Sequence, residues 1–130
     1  MSIINSSRNY ILAPISLGEL IDKITILEIK KDKILSKKRL NVVNELEQLR
    51  KLLHLSEEIN SEYIHRLKEV NLDLWDIEDR LRIKEAKNEF DHEFIDLARS
   101  VYLKNDKRYS IKSEINNQYK SLIIEEKSYK

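Results

Sequence analysis

Apolar residues recur at steps of three and four over most of the chain, with few interruptions. The longest such run places six residues on one face, Tyr63, Leu67, Val70, Leu74, Ile77 and Leu81. This is the spacing of an amphipathic α-helix. The 130 residues include one glycine and one proline, so residues that favour turns are scarce. With 41% hydrophobic and 36% charged residues, the composition is typical of long helices and coiled coils. We therefore predict an all-α fold.

The apolar pattern divides into about five helices. Ser16 and Glu19 have the spacing of a capping box, so the first helix begins there and ends near Ser36. The second helix is expected over residues 40–56. The third, over residues 59–88, is the longest. Its length predicts a helix that projects from the body or meets a partner.

The last third of the chain predicts two shorter helices. Asp91 is suited to cap the fourth, and Asn105-Asp106 separates it from a fifth that runs to about Glu126. We thus expect a bundle of about five helices with long, coiled-coil-like members. The length suits one domain, so we predict an N-terminal arm over residues 1–13 and a single helical domain over 14–130.

Composition also restricts the functional classes. The net charge is +1, so no global field draws the chain to nucleic acid or to an anionic membrane surface. Cysteine is absent, which excludes disulfides, thiolate metal sites and a cysteine nucleophile. No basic start precedes an apolar run, and no window approaches the ~20 apolar residues of a membrane span. The expectation is a cytoplasmic protein without membrane contact.

Several charged residues fall on the apolar faces of the predicted helices. At about 100° per residue, Glu78 lies inside the apolar arc of the third helix, flanked by Trp75 and Arg82. A lone buried charge is too costly to leave unpaired. Such groups must pair with each other, reach water at a bundle end, or line a polar cavity. The candidate polar cluster or pocket consists of Glu28, Lys31, Trp75, Glu78, Arg82, Arg108 and Lys112.

Three uses of this cluster stay open. Its members can form interhelical ion pairs, or lie at the core edge and extend to water. They can instead line a pocket with excess positive charge, suited to a carboxylate or phosphate ligand. In such a pocket Glu78 would act as acid or base and Arg82, Arg108 and Lys112 would hold the anion. The same groups can also serve a dimer interface.

Catalytic and metal motifs are missing from the sequence. There is no glycine-rich phosphate loop, no HExxH, no GxSxG and no zinc pattern, and His54, His65 and His92 are isolated. We therefore predict no catalytic residue, no metal site and no cofactor. Whether the protein is an enzyme stays open.

One stretch is strongly basic. Residues 99–112 hold five basic residues against one acid, with Tyr102 and Tyr109 between them. Such surfaces can bind single-stranded nucleic acid or phosphates. Residues 69–79 hold five acids and no base, so the two stretches can neutralise each other within a chain or across a dimer. That interpretation is preferred over nucleic-acid binding.

The chain also resembles a family of small bacterial and phage proteins catalogued as domain of unknown function 6165. The resemblance rests on PISLGELIDKITILEIKKDKI (14–34), LWDIEDRLR (74–82), FIDLARSVYLKNDKR (94–108) and EEKSYK (125–130). It implies no reaction, ligand or catalytic residue. Our leading hypothesis is a non-enzymatic interaction or assembly module, homodimeric through the long third helix. The alternative is a protein that binds a small anionic ligand, or a small all-α enzyme.

Overall fold

The computed structural model describes residues 4–5, 9–55 and 58–129. Within these ranges it has four helices, α1 (Leu17–Lys33), α2 (Lys38–His54), α3 (Ser61–Ala86) and α4 (His92–Gln118). The all-helical prediction is confirmed for the body of the chain. Within the predicted N-terminal arm, β1 (Ile4–Asn5) and β2 (Tyr10–Ile11) pair antiparallel. Residues 1–3 and 6–8 of the predicted arm, and the predicted end of the second helix at 56, lie outside the described residues.

Side-chain caps explain where three helices begin. Ser16 Oγ accepts a hydrogen bond of 3.1 Å from Glu19 N, as the capping-box spacing predicts. Asp91 Oδ1 accepts one of 3.0 Å from Phe94 N at the start of α4. Asn60 Oδ1 accepts one of 2.9 Å from Glu62 N at the start of α3. Each cap satisfies a backbone N–H that the first helical turn leaves unpaired.

The predicted fourth and fifth helices are one continuous helix. α4 passes through Asn105-Asp106 without a break and ends at Gln118, not near Glu126. Asparagine and aspartate in a helix cost only about 0.7 kcal/mol each relative to alanine. Burial of residues on both sides of the pair, including Leu97 and Ile111, outweighs that cost. The structure therefore has four helices and not five in its described part.

α1 lies at the centre of the fold. Its Leu20, Ile24 and Leu27 pack with Val42 and Leu46 of α2. On another side, Ile21 packs into a second core formed with α3 and α4, made of Leu67, Val70, Leu74, Ile111 and Ile115. The sequence predicts that the first helix ends near Ser36, but α1 ends at Lys33, and Leu35 beyond it is 85% exposed. A helix buried on several sides must bury its polar residues as well.

α3 and α4 form a long antiparallel hairpin. Three ion pairs run along it, Arg66 with Glu114, Asp73 with Lys104, and Lys84 with Asp91. Buried and half-buried residues recur at steps of three and four on both helices: Leu67, Val70, Leu74, Ile77, Leu81 and Lys84 on α3, and Phe94, Leu97, Val101, Lys104, Arg108, Ile111 and Ile115 on α4. Both helices are longer than α1.

We call residues 79–104 the distal hairpin. No hydrogen bond or ion pair between described residues joins it to α1 or α2. At its turn, Lys84 is largely buried and its Nζ lies 2.9 Å from Asp91 Oδ2, with Glu89 and Glu93 within 3.7 Å. This network fixes the turn between α3 and α4.

None of the described helices combines the length and the apolar character that crossing a membrane requires.

Candidate functional site

The only fully buried carboxylate among the described residues lies between α1 and α4. Asp22 of α1 has no exposed surface, and Arg108 of α4 reaches it with two donor nitrogens. Arg108 Nε lies 2.9 Å from Oδ1 and 3.0 Å from Oδ2, and Nη2 also donates to Oδ2. The hydrogen bond with Asp22 holds the pKa of the Arg108 guanidinium above its usual value. This geometry gives the strongest type of charge-assisted hydrogen bond.

α3 supplies one more hydrogen-bond donor to Asp22, the side-chain amide of Asn71. Asn71 Nδ2 donates to Asp22 Oδ1 at 2.9 Å and to Thr25 Oγ1 at 3.0 Å. The Thr25 hydroxyl in turn donates to the Asp22 carbonyl oxygen at 2.8 Å. Three helices thus meet at one carboxylate, and these side chains leave no polar atom of Asp22, Thr25 or Asn71 buried without a partner.

Lys112 brings a second cation into the same region. Its side chain is 6% exposed, and its Nζ lies 2.7 Å from Glu19 Oε2, 2.9 Å from Glu125 Oε1 and 3.9 Å from Asp22 Oδ2. Burial lowers the pKa of Lys112, but the hydrogen bond with Glu19 and the close contact with the Glu125 carboxylate outweigh it, so the pKa is raised. Lys112 therefore stays charged inside the fold. We call Glu19, Asp22, Thr25, Asn71, Arg108 and Lys112 the polar cluster.

The first turn of α1 touches α4 directly beside this cluster. Gly18 N donates to Asn116 Oδ1 at 2.7 Å, and Leu17 N donates to Ser121 Oγ at 3.2 Å. A Cβ atom at Gly18 would lie 2.7 Å from the Lys112 carbonyl oxygen, closer than real contacts allow. The single glycine of the chain is thus required where two backbones approach each other.

Two clefts open next to the polar cluster. One, of about 350 Å³, is lined by Glu19, Asn105, Arg108, Tyr109, Lys112, Glu125, Lys127 and Tyr129. The other, of about 230 Å³, lies between α1 and the hairpin and is lined by Ile26, Ile29, Lys30, Asn71, Leu74, Trp75, Glu78, Asn105 and Arg108. Arg108 and Asn105 border both clefts.

The charges of the polar cluster balance. Asp22 and Glu19 face Arg108 and Lys112, so two carboxylates neutralise two cations. An anion-binding pocket needs positive charge that the protein itself does not neutralise, and the cluster has no such excess. In the described part of the chain, no three acidic or histidine side chains come together as metal ligands.

The structure separates the residues of the predicted cluster. Arg108 and Lys112 belong to the polar cluster, whereas Glu28 pairs elsewhere, with Arg50 at 2.7 Å and Lys68 at 3.7 Å. Half-buried Trp75 and exposed Glu78 line the 230 Å³ cleft with Arg108. The other two residues lie apart, Lys31 half-buried and Arg82 exposed.

Two expectations for this set therefore need correction. Glu78 is exposed and forms no ion pair with a described residue. It lines an open cleft that Ile26 and Ile29 of α1 also border, so α1 does not cover it. Arg82, one turn further, lies beyond that cleft and is also unpaired. The inward charges that the sequence places on α3 are thus at the surface.

Sequence reasoning missed Glu19, Asp22 and Glu125, the carboxylates that neutralise the buried cations. A signal for Asp22 was present, because Gly18, Asp22, Thr25 and Ile29 lie at steps of four, three and four and form a second buried face of α1. A helix with two buried faces belongs at the centre of a bundle. Glu125 had no such signal, since it lies in a non-helical segment.

The basic stretch is largely neutralised within the chain. Lys104 pairs with Asp73 at 2.8 Å, which joins the basic stretch to the acidic one. Arg108 and Lys112 pair with α1 as described. Only Arg99 and Lys107 of the five basic residues lack an ion pair with a described residue. This leaves little positive charge to bind a phosphate backbone.

Comparison with known proteins gives one match. A family model described as a family of unknown function, DUF6165, matches residues 11–130. Neither the curated proteins nor the solved structures give a match to the chain. The comparisons therefore supply no reaction, ligand or partner.

Proposed function

The chain belongs to the DUF6165 family of unknown function, and we propose that it is a non-enzymatic helical assembly module that forms a homodimer. The observation that carries this proposal is an exposed face along α3 and α4, which we call the open face. It consists of Glu78, Arg82, Glu85, Ile95, Ala98 and Tyr102. The polar cluster has a structural role in it, because its buried pairs fix how α1, α3 and α4 align.

The open face is located by the cleft that α1 shares with the hairpin. Glu78 and Asn105 line that cleft together with Ile26 and Ile29 of α1. Steps of three and four along each helix from these two residues stay on the same face. They lead to Arg82 and Glu85 on α3 and to Tyr102, Ala98 and Ile95 on α4. All five are exposed, since α1 does not extend over them.

This face combines apolar surface with unpaired charge. Ile95 and Tyr102 are each about half exposed. Glu78, Arg82 and Glu85 form no ion pair with described residues. A two-fold axis near Arg80 would place Glu78 of one copy beside Arg82 of the other, and the reverse. The same helix thus carries both members of a self-complementary pair, which favours a second copy as the partner.

The spacing along the hairpin supports the same conclusion. The buried positions of α3 and α4 follow the alternation of three and four that coiled coils use. We therefore propose that α3 and α4 form an antiparallel coiled coil whose open side pairs with that of a second copy. Two hairpins packed in this way make a four-helix arrangement. In it, each hairpin covers the open face of the other, as α1 covers α3 and α4 near the polar cluster.

Charge exchange tests the proposal. Sedimentation velocity over a range of concentrations is expected to show self-association that increases with concentration, with Glu78→Arg and Arg82→Glu each weakening it. The double variant, Glu78→Arg with Arg82→Glu, should restore dimers because the pair is re-formed with its signs reversed. Asp79→Arg is the matched control, an exposed acid on the same helix but off this face. A chain that stays monomeric at all concentrations, or self-association equally strong in the native protein and in Glu78→Arg, contradicts the proposal.

A further inference from the structure

The segment after α4 turns back sharply at a residue poorly suited to the turn. Lys120 has φ of 52°, the left-handed region that favours glycine. Ser121 N donates to the Asn116 carbonyl oxygen at 2.9 Å, which closes the turn. The turn therefore carries strain at a single backbone position, directly before the segment that we call the tail, residues 121–129. A short, strained connection favours exchange of the element it holds.

Polar contacts hold the tail to the body. Tyr109 OH donates to the Glu125 carbonyl oxygen at 3.3 Å, and Glu125 Oε1 lies 2.9 Å from Lys112 Nζ. Lys127 Nζ lies 5.5 Å from the centre of the Tyr109 ring. The apolar residues of the tail take little part, because Leu122 is 95% exposed and Ile123 and Ile124 are each more than 40% exposed. Little apolar surface is therefore lost when the tail leaves.

Departure of the tail also leaves no buried charge unpaired. Lys112 keeps Glu19 and Arg108 keeps Asp22. Glu125 keeps Lys127, 3.0 Å away within the tail itself. Although it is buried, Glu125 Oε1 lies outside the alignment of a hydrogen bond with Lys112. The cost of removing an ion from a buried pair arises mainly from the partner that is left alone, and here each partner has a second one.

We propose that two copies exchange their tails beside Lys112, where the tail forms one wall of the 350 Å³ cleft through Glu125, Lys127 and Tyr129. In the exchanged state, Glu125 of one copy pairs with Lys112 of the other through the contacts seen within one chain. The exchange requires a rotation of the backbone at Lys120, which breaks the hydrogen bond from Ser121 N to the Asn116 carbonyl oxygen. Exchange of an identical element is a low-cost route to association, because it creates no new interface chemistry.

This contact is separate from the open face of the distal hairpin. The tail lies beside the first turn of α1, and that face runs from Glu78 and Asn105 toward the turn between α3 and α4. One chain would thus carry two different self-association contacts. Together they would link copies into assemblies larger than a dimer, whereas either contact alone produces a dimer.

Zero-length cross-linking of mixed isotopes tests the exchange with the native sequence. Equal amounts of ¹⁵N-labelled and unlabelled protein are incubated together and then treated with a carbodiimide, which joins lysine to carboxylate where they touch. The Lys112–Glu125 link is expected to contain peptide pairs with one labelled and one unlabelled member, in a fraction that rises with concentration. The Lys112–Glu19 link is the internal control, since both residues lie in the body and should keep identical labels.

The outcomes are distinct. A Lys112–Glu125 link with matching labels only, at every concentration, overturns the proposal. Mixed labels in both links would mean that α1 exchanges as well, which also overturns it. Repeating the experiment with Glu78→Arg separates this inference from the proposed dimer. In Glu78→Arg the open-face contact is weakened and the tail is unchanged, so mixed labels that persist there leave tail exchange standing. Matching labels only, in the native protein and in Glu78→Arg alike, reject tail exchange and leave the open-face dimer unaffected.

Discussion

Arg108 and Asp22 lie 86 positions apart in the chain, and the Arg108 guanidinium donates to both carboxylate oxygens of Asp22. Asp22 is fully buried, whereas the side chain of Arg108 is 27% exposed. The buried Asp22 carboxylate therefore depends on Arg108 for hydrogen bonds and for a compensating charge, whereas Arg108 can also contact water. This asymmetry determines what substitution at each position should do.

Arg108→Met removes the cation that donates hydrogen bonds to the buried Asp22 carboxylate and leaves Lys112 Nζ, 3.9 Å away, as its only cation among the described residues. We expect the free energy of unfolding to fall by about 3–5 kcal/mol, the usual effect of removing one member of a buried pair. Adding Asp22→Asn to Arg108→Met should recover part of the loss, because a neutral amide is less costly to bury than an unpaired carboxylate. Urea denaturation measures both values.

An exposed ion pair provides the control for that experiment. Arg66 and Glu114 lie 2.7 Å apart on the surface of the hairpin, and exposed pairs contribute about 0–1 kcal/mol. Arg66→Met should therefore change the stability by less than 1 kcal/mol. Equal losses for Arg108→Met and Arg66→Met would contradict a special role for the buried pair.

Gly18→Ala should destabilise the protein although alanine favours helices. In an isolated helix this change gains about 1 kcal/mol. Here the added methyl group would lie 2.7 Å from the Lys112 carbonyl oxygen, and overpacking costs about 1–3 kcal/mol. Thermal unfolding should show a lower Tm, while Lys23→Ala on the exposed side of α1 should leave it nearly unchanged. A higher Tm for Gly18→Ala would show that α1 and α4 do not approach as described.

The turn between α3 and α4 should lose stability in acid. The hydrogen bond from Lys84 and that from Phe94 N lower the pKa of Asp91. A carboxyl whose pKa is lower in the folded state stabilises the fold above its unfolded pKa of about 4. That contribution disappears as the pH falls through the folded pKa. Asp91→Asn keeps a capping side chain but lacks the charge.

Urea midpoints of the native protein and of Asp91→Asn between pH 2 and pH 7 measure this effect. The native protein should be more stable at neutral pH, and the two curves should converge at the acid end. Parallel curves across the whole range would show that the Asp91 carboxylate does not contribute through its charge.

Lys120→Gly should stabilise the chain by roughly 0.5–1 kcal/mol, because glycine adopts a positive φ without steric cost. The matched control is Lys87→Gly at the end of α3, where φ is −94° and glycine offers no such relief. Equilibrium denaturation of the two variants compares them directly. A loss of stability for Lys120→Gly as large as for Lys87→Gly would argue against strain at this turn.

By itself the sequence determined the class of fold and the beginnings of helices. The spacing of Leu67, Val70, Leu74 and Ile77 predicts the buried face of α3, and Ser16 and Asp91 cap their helices as predicted. These features depend on residues close in the chain, where periodicity and local hydrogen bonds act. The sequence also indicated that Arg108 and Lys112 point inward, because they share a stripe with Ile111 and Ile115.

Only the tertiary structure decided which charges meet. Glu78 and Arg82 have the spacing of inward residues but remain at the surface, because an open cleft separates Glu78 from α1 and Arg82 lies beyond that cleft. Asp22 is buried because α1 lies between three other helices, and Glu125 reaches Lys112 because the chain reverses at Lys120. The periodicity of a helix fixes the direction of each side chain about the helix axis. What lies in that direction depends on neighbours far away in the chain.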